Sequence, residues 1–268
     1  MNKEKARFKP KGQDISVEHC ISITNNKEDL DSCVFEKYLD NVRGRIHLLS
    51  EKIYGHFTPK SDKEIFLRVY HSVSHSHMLS ICYLLLNKEK MLDSSAFPLV
   101  RILLETVYKA IYMYQEFDNE KMKKLKDGKY SWKEFNVNGK KMDFKTKQKF
   151  NWINLFPEIR IIVEKVDNET RDKNTWNYFN DFIHTQDSQL TGQIKDNFTI
   201  KQNFSYQTKV SLTETAILHY QRLVLFILEK EDKSLFEKAS KDLLNYSSSE
   251  SFNYFLNKEL LKNANNPT

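Results

Sequence analysis

Three groups of polar residues in this 268-residue chain have the types and spacing that proton transfer or anion binding requires. The first is Arg101 and Glu105, spaced i,i+4 and therefore on one helical face. Their neighbours are Val100, Ile102, Leu103, Leu104 and Val107. Charges in so apolar a setting are rarely buried unless they are paired or used. Either the two form an intrahelical ion pair on a partly exposed stripe, or they face a polar cleft. In a cleft Arg101 holds an anion, and Glu105 orients it or acts as an acid or base.

The second group is Asn177, Asp181 and His184, at i, i+4 and i+7 of a helical stripe. Trp176, Phe179, Phe182 and Ile183 supply apolar contacts around it. An imidazole titrates near neutrality, and a carboxylate one turn earlier sets its tautomer, so Asp181 orients and His184 transfers protons. The competing reading has His184 interacting with the carbonyls of its own helix end.

The third group is Arg68, His71 and His75. His71-x3-His75 has metal-ligand spacing, but a zinc site needs a third ligand and no HExxH or Cys pair provides one. No metal is expected. The chain also lacks GxxxxGK[ST], GxGxxG, GxSxG and kinase signatures, so no cofactor is expected and nucleotide-fold enzymes and serine hydrolases are disfavoured.

The elements that must position these groups read as helices. Charged residues make up 29% and apolar residues 40%, while 6 Gly and 5 Pro are too few for a fold built on many tight turns. The expected fold class is all-α, a bundle of about seven or eight helices with a small β-hairpin insertion. Residues 1–14 read as a basic disordered arm. Residues 15–268 read as a single helical domain, with a Lys-rich hairpin insertion at about 121–149.

From about Asp29, Leu30, Val34, Tyr38, Val42, Ile46, Leu49 and Ile53 recur at helical steps. Pro59 and the capping box Ser61-x-x-Glu64 separate that helix from a second reaching about Leu86. Its apolar face is expected to hold Ile65, Val69, Val73, Met78, Ile81 and Leu85. The next helix starts with Ser94 or Ser95 as N-cap and Pro98 in its first turn. It is apolar around most of its circumference, which predicts the central helix of the bundle. Helical pattern returns from Pro157 to Val166, from Asn168 or Glu169 to about His184, and from Leu212 to Glu229. Two shorter helices are expected near Lys233–Asn245 and Ser251–Lys262. Residues 185–207 are polar and aperiodic, which predicts a long loop.

The net charge of +6 is unevenly spread. Residues 121–149 hold eleven Lys against Asp127, Glu134 and Asp143, a local +8, which leaves −2 for the rest. Within it, Asn138-Gly139 lies between short alternating runs from Lys133 to Phe144, a hairpin signal. A polyanion such as RNA would meet this segment first. Lys133, Lys140, Lys141, Lys145 and Lys147 offer phosphate contacts, and Trp132, with Tyr130 and Phe135, offers stacking. Cys20, Cys33 and Cys82 are odd in number and lack CxxC spacing, so no disulfide framework is expected and a reduced compartment is. With no apolar leader at the N-terminus and no apolar run of ~18–20 residues, the expected location is cytoplasmic, with no membrane partner.

The stretch SSAFPLVRILLETVYKAIYM, together with FNDFIHT some eighty residues later, resembles all-helical bacterial families that look related to the HEPN superfamily. Their pattern is a central helix carrying Arg-x3-Glu and a later helix ending in His, and the resemblance covers roughly residues 60–190. It implies a metal-independent endoribonuclease of a prokaryotic antiviral defence or toxin system. In active members an Arg-x4–6-His motif positions a 2′-hydroxyl for attack on the adjacent phosphate. Here Asn177, Tyr178 and Phe179 stand where that arginine belongs, and the one Arg-x6-His match is Arg68 to His75. Three alternatives follow: Arg101 substitutes in space, or Arg68 and His75 are the pair, or the nuclease activity is absent. In the last case the chain is a non-catalytic module that binds a partner protein or itself, or a sensor in which Arg101 holds an anionic small ligand.

Overall fold

The longest run of helical periodicity becomes the longest helix. In the computed structural model, which describes residues 17–24, 26–87, 92–130, 162, 166, 194–195, 199–200, 204–246, 251–255 and 257, α2 spans Lys27–His56. It opens on Asn26, whose side chain accepts from the Asp29 amide at 2.9 Å, with Glu28 and Asp29 favourably placed against the helix dipole. Val34, Tyr38, Val42, Ile46, Leu49 and Ile53 are buried as their spacing predicts.

The remaining elements are α1 (Val17–Ile23), α3 (Asp62–Leu86), α4 (Asp93–Glu116), α5 (Asn119–Lys126), β1 (Ile194–Lys195), β2 (Thr199–Ile200), α6 (Tyr206–Glu231) and α7 (Lys233–Tyr246). Residues 251–255 are also helical. The protein is all-α, with, among the described residues, one short antiparallel strand pair in register Ile194↔Ile200 and Lys195↔Thr199. That pair falls within the stretch expected to be a loop. No described helix is long and apolar enough to cross a membrane. The arm at 1–14, the hairpin at Lys133–Phe144 and the helices over 157–166 and 168–184 lie outside the described residues, apart from 162 and 166, which are helical.

Several boundaries differ from the sequence reading. The start of the Lys-rich segment is helical: α5 is capped by Asp118, whose carboxylate accepts from the Lys121 amide at 2.8 Å. The chain leaves it through Gly128, just past the Asp127 C-cap, where φ is 68°, a left-handed conformation that glycine adopts without a Cβ clash. Helix α4 starts at Asp93 rather than Ser94 or Ser95, because the Leu92 carbonyl already accepts from the Ser95 and Ala96 amides. Pro98 therefore sits inside the helix. Cys20 and Cys33 are joined in a disulfide, contrary to the expectation from their number and spacing. The cause is that α1 folds back on α2 and brings the two Cα atoms to 5.8 Å.

Helix α3 is rotated relative to expectation. Ile65, Val69 and Val73 are exposed, and the buried line is Leu67, His71, Ser74, Met78, Ile81, Cys82 and Leu85. The forecast held only for Met78, Ile81 and Leu85.

Helix α4 is central and packs against α3 and α6, burying Val100, Leu103, Leu104, Val107 and Ile111. Its first residue, Asp93, meets Lys209 of α6 at 2.7 Å, both side chains being buried. The ammonium also lies over the Tyr206 and Phe35 rings, at 5.0 and 5.6 Å from their centroids. Farther along the two helices, Tyr108 lies beside His219 and Tyr114 beside Phe226. Both contacts advance together, so α4 and α6 run in the same sense. Helix α2 is tied to α6 by Glu214, which accepts from Tyr38 Oη at 2.9 Å and Arg45 Nη1 at 3.0 Å. With the Gln221 amide oxygen turned inward, it accepts from the rest of the Arg45 guanidinium.

Removing one partner of a buried ion pair leaves an uncompensated charge and costs about 3–5 kcal/mol. Asp93→Asn should therefore lower the unfolding free energy by about that amount in urea denaturation. The double variant Asp93→Leu/Lys209→Met should recover most of it. Equal stabilities for Asp93→Asn and the native chain would show that the pair does not hold α4 to α6.

Candidate functional site

On α4, Arg101 is 2% exposed and its Nε donates to Glu105 Oε1 at 2.6 Å. The other carboxylate oxygen of Glu105 accepts from Lys109 Nζ at 3.4 Å. Three charges thus stand at i, i+4 and i+8 on one stripe, with the carboxylate between the two cations. Burial pushes the Arg101 pKa down and the adjacent Glu105 opposes that shift. Guanidinium pKa values start so high that Arg101 stays charged.

Tyr108 continues the same stripe, seven residues beyond Arg101. Its hydroxyl accepts from Arg222 Nη1 at 3.2 Å, and the Arg222 guanidinium lies 5.2 Å from the centre of its ring. His219 Nε2 is 3.5 Å from the same hydroxyl, and His219 Nδ1 is 2.8 Å from the Thr215 carbonyl oxygen. A carbonyl only accepts, so His219 Nδ1 carries a proton and donates to Thr215. Tyr108 Oη thus lies between the Arg222 guanidinium and His219 Nε2. Where α4 meets α6, cations, a carboxylate, a phenol and an imidazole follow one another along a single seam.

Of the residues expected to do chemistry, Arg101 and Glu105 are in direct contact. Asp181, His184, Lys133, Lys140, Lys141, Lys145, Lys147 and Trp132 lie outside the described residues. Tyr108, Lys109, His219 and Arg222 join the seam without having been singled out by sequence. The signal that was available is the helical spacing of His219 and Arg222, three residues apart, and of Lys109, four after Glu105.

Arg68 and His75 have other surroundings. Arg68 Nη1 donates to the Ile53 and Phe57 carbonyls at 2.8 and 3.1 Å, and its guanidinium lies 4.3 Å from the centre of the Tyr54 ring. It thereby satisfies the exposed carbonyls at the C-terminal end of α2. His75 stacks on His71 and on Tyr220. His71 Nε2 is 3.0 Å from Tyr220 Oη. Among the described residues no group of three or more His, Cys, Asp or Glu side chains is placed to hold a metal ion. No protein-family model matches the chain, and no curated protein or solved structure matches it.

Burial, with His75 and Arg68 nearby, pushes the His71 pKa down to about 3. The unfolded chain holds that proton near pH 6.5, so the sign is fixed. The stabilisation from a neutral His71 is complete above pH 6.5 and is lost as pH falls from there toward 3. The loss amounts to about 1.4 kcal/mol per pH unit. Urea midpoints taken at pH 7 and pH 4.5 should show the native chain losing about 2–3 kcal/mol that His71→Gln does not lose. Parallel pH profiles for the two proteins would assign the acid sensitivity to other groups.

Proposed function

We propose that this protein is a HEPN-like, metal-independent endoribonuclease of a prokaryotic antiviral defence or toxin system, acting in the cytoplasm. The observation that carries the reading is the buried Arg101 guanidinium, aimed by Glu105 along the seam that also holds Lys109, Tyr108, His219 and Arg222. A guanidinium pre-positioned by a carboxylate is suited to phosphate, which it meets through paired N–H donors.

In the reaction a 2′-hydroxyl oxygen forms a bond to the adjacent phosphorus and the P–O5′ bond breaks. The products are a 2′,3′-cyclic phosphate and a free 5′-hydroxyl. His184 takes the 2′-proton and, as imidazolium, returns it to the departing 5′-oxygen, Asp181 sets the imidazole tautomer, and Arg101 neutralises the charge that builds on the non-bridging oxygens. The Lys-rich residues 121–149 attract the backbone without regard to sequence. In a reduced cytoplasm the Cys20–Cys33 bond, which ties α1 to α2, would open.

A second reading, a sensor of an anionic small ligand or a non-catalytic module, is favoured by the 2% exposure of Arg101, which suits a small enclosed anion better than a polymer.

His184→Ala separates these readings. Loss of a general acid/base should cut RNA cleavage by about 10²–10⁴, with the melting temperature unchanged and the native activity insensitive to EDTA. Full cleavage by the variant would remove His184 from the mechanism. No cleavage by the native chain, with retained binding of a small anion, would favour the sensor.

Replacing Lys140, Lys141, Lys145 and Lys147 by Gln should reduce the slope of log binding against log salt by about 3, from roughly 0.7–0.9 per phosphate contact. An unchanged slope would show that these lysines are merely solvated.

A further inference from the structure

Helix α1 is seven residues long, and helices shorter than about 12–15 residues are marginal in water on their own. Its order must therefore come from the bundle, and it packs on α2. That packing is slight. Cys20 is its one buried side chain, while Ile21 and Ile23 are 57% and 58% exposed. The Ser22 and Thr24 hydroxyls donate back into α1, to the His19 and Cys20 carbonyls. A buried cysteine behaves as a small hydrophobe. It removes too little apolar area from water to offset the conformational entropy of seven ordered residues. The firmest tie of α1 to the bundle is the covalent one, from Cys20 to Cys33.

Helix α2 does not need that bond. Its first turn is capped by Asn26, Asp31 accepts from Tyr254 Oη at 2.7 Å, and Tyr38 and Arg45 hold Glu214. The two cysteines are also unequally placed, Cys20 fully buried and Cys33 partly exposed. A thiol or disulfide arriving from solvent therefore reaches Cys33 rather than Cys20. The third cysteine does not compete. Cys82 is buried on α3, and burial pushes its thiol pKa up to about 12, which leaves almost none of the thiolate that attacks a disulfide.

We propose that Cys20 and Cys33 form a redox switch, which docks α1 on α2 when oxidised and releases residues 17–24 when reduced, the rest of the bundle staying folded. The oxidant is a small disulfide such as glutathione disulfide. The Cys33 thiolate attacks one of its sulfurs, forming a mixed disulfide and expelling one glutathione thiolate. The Cys20 thiolate, its Cα 5.8 Å from that of Cys33, then attacks the Cys33 sulfur, and the second glutathione leaves. Two protein thiols lose two protons and two electrons, and one glutathione disulfide becomes two glutathione thiols. Reduction runs the same steps backwards. In a reduced cytoplasm the released state is the resting one, and an oxidising shift docks α1. The switch makes no use of the residues assigned to RNA cleavage.

The test takes the full-length chain through glutathione buffers from fully reduced to fully oxidised. Each sample is quenched in acid, unfolded, alkylated with a mass tag and mapped by peptide. Cys20 and Cys33 should pass together from tagged to untagged within that span, with Cys82 tagged throughout. Hydrogen exchange at the α1 amides 21–23 should be roughly a hundredfold faster at the reduced end, the factor expected for a closed loop of about 15 residues. Exchange in α2 from Tyr38 to Ile53 should not change. Cys33→Ser should show the fast α1 exchange in both buffers. The proposal is overturned by any of four results: no bond at the oxidised end, a bond that survives the reduced end, equal α1 exchange in the two states, or loss of protection that spreads through α2.

Discussion

A carboxylate and an ammonium can leave water together only if they meet, and the Asp93–Lys209 pair sets the arrangement of the bundle. It fixes the first turn of α4 against the first turn of α6, so the two helices run in the same sense. Glu214, satisfied by Tyr38 and Arg45, does the same for α2 and α6. Helix α3 runs the other way: Arg68 reaches the last carbonyls of α2, and Lys63 donates to the Tyr114 carbonyl near the end of α4. Co-directional α4 and α6 cannot be joined by a short turn.

The same principle explains why α3 contradicts its own apolar pattern. His71 and Ser74 are inside while Ile65, Val69 and Val73 are outside. A neutral imidazole stacked on Tyr220 and bonded to its hydroxyl occupies the position that hydropathy would give to a valine. Burial keeps that imidazole neutral, so its desolvation cost is far smaller than that of an ion. Once His71 faces α6, the helical period leaves Ile65, Val69 and Val73 no inward direction. The apolar side chains that would have filled a core become a surface.

Legibility in the sequence followed the range of the interactions. Helix α2 was readable along its length because its apolar residues from Val34 to Ile53 repeat at helical steps, and the buried Arg45 and Ser50 fall beside that line without breaking it. Helix α4 was readable as central because it is apolar nearly all round, although its start was misplaced by the absence of a side-chain cap at Leu92. The Arg101–Glu105 pair was visible because it is local, one helical turn. Tyr108, His219 and Arg222 were not, since Tyr108 lies more than a hundred residues from the other two. Their meeting depends on the rotation of α6, which Lys209 and Glu214 set. The Cys20–Cys33 bond was hidden for a similar reason: thirteen residues separate the cysteines, and they meet because the chain reverses between α1 and α2.

Along the seam the Glu105 carboxylate stands between Arg101 and Lys109, and Arg222 holds the Tyr108 hydroxyl. Each of those groups has a partner within the protein, which fixes its orientation before any ligand arrives and lowers the ordering cost of binding.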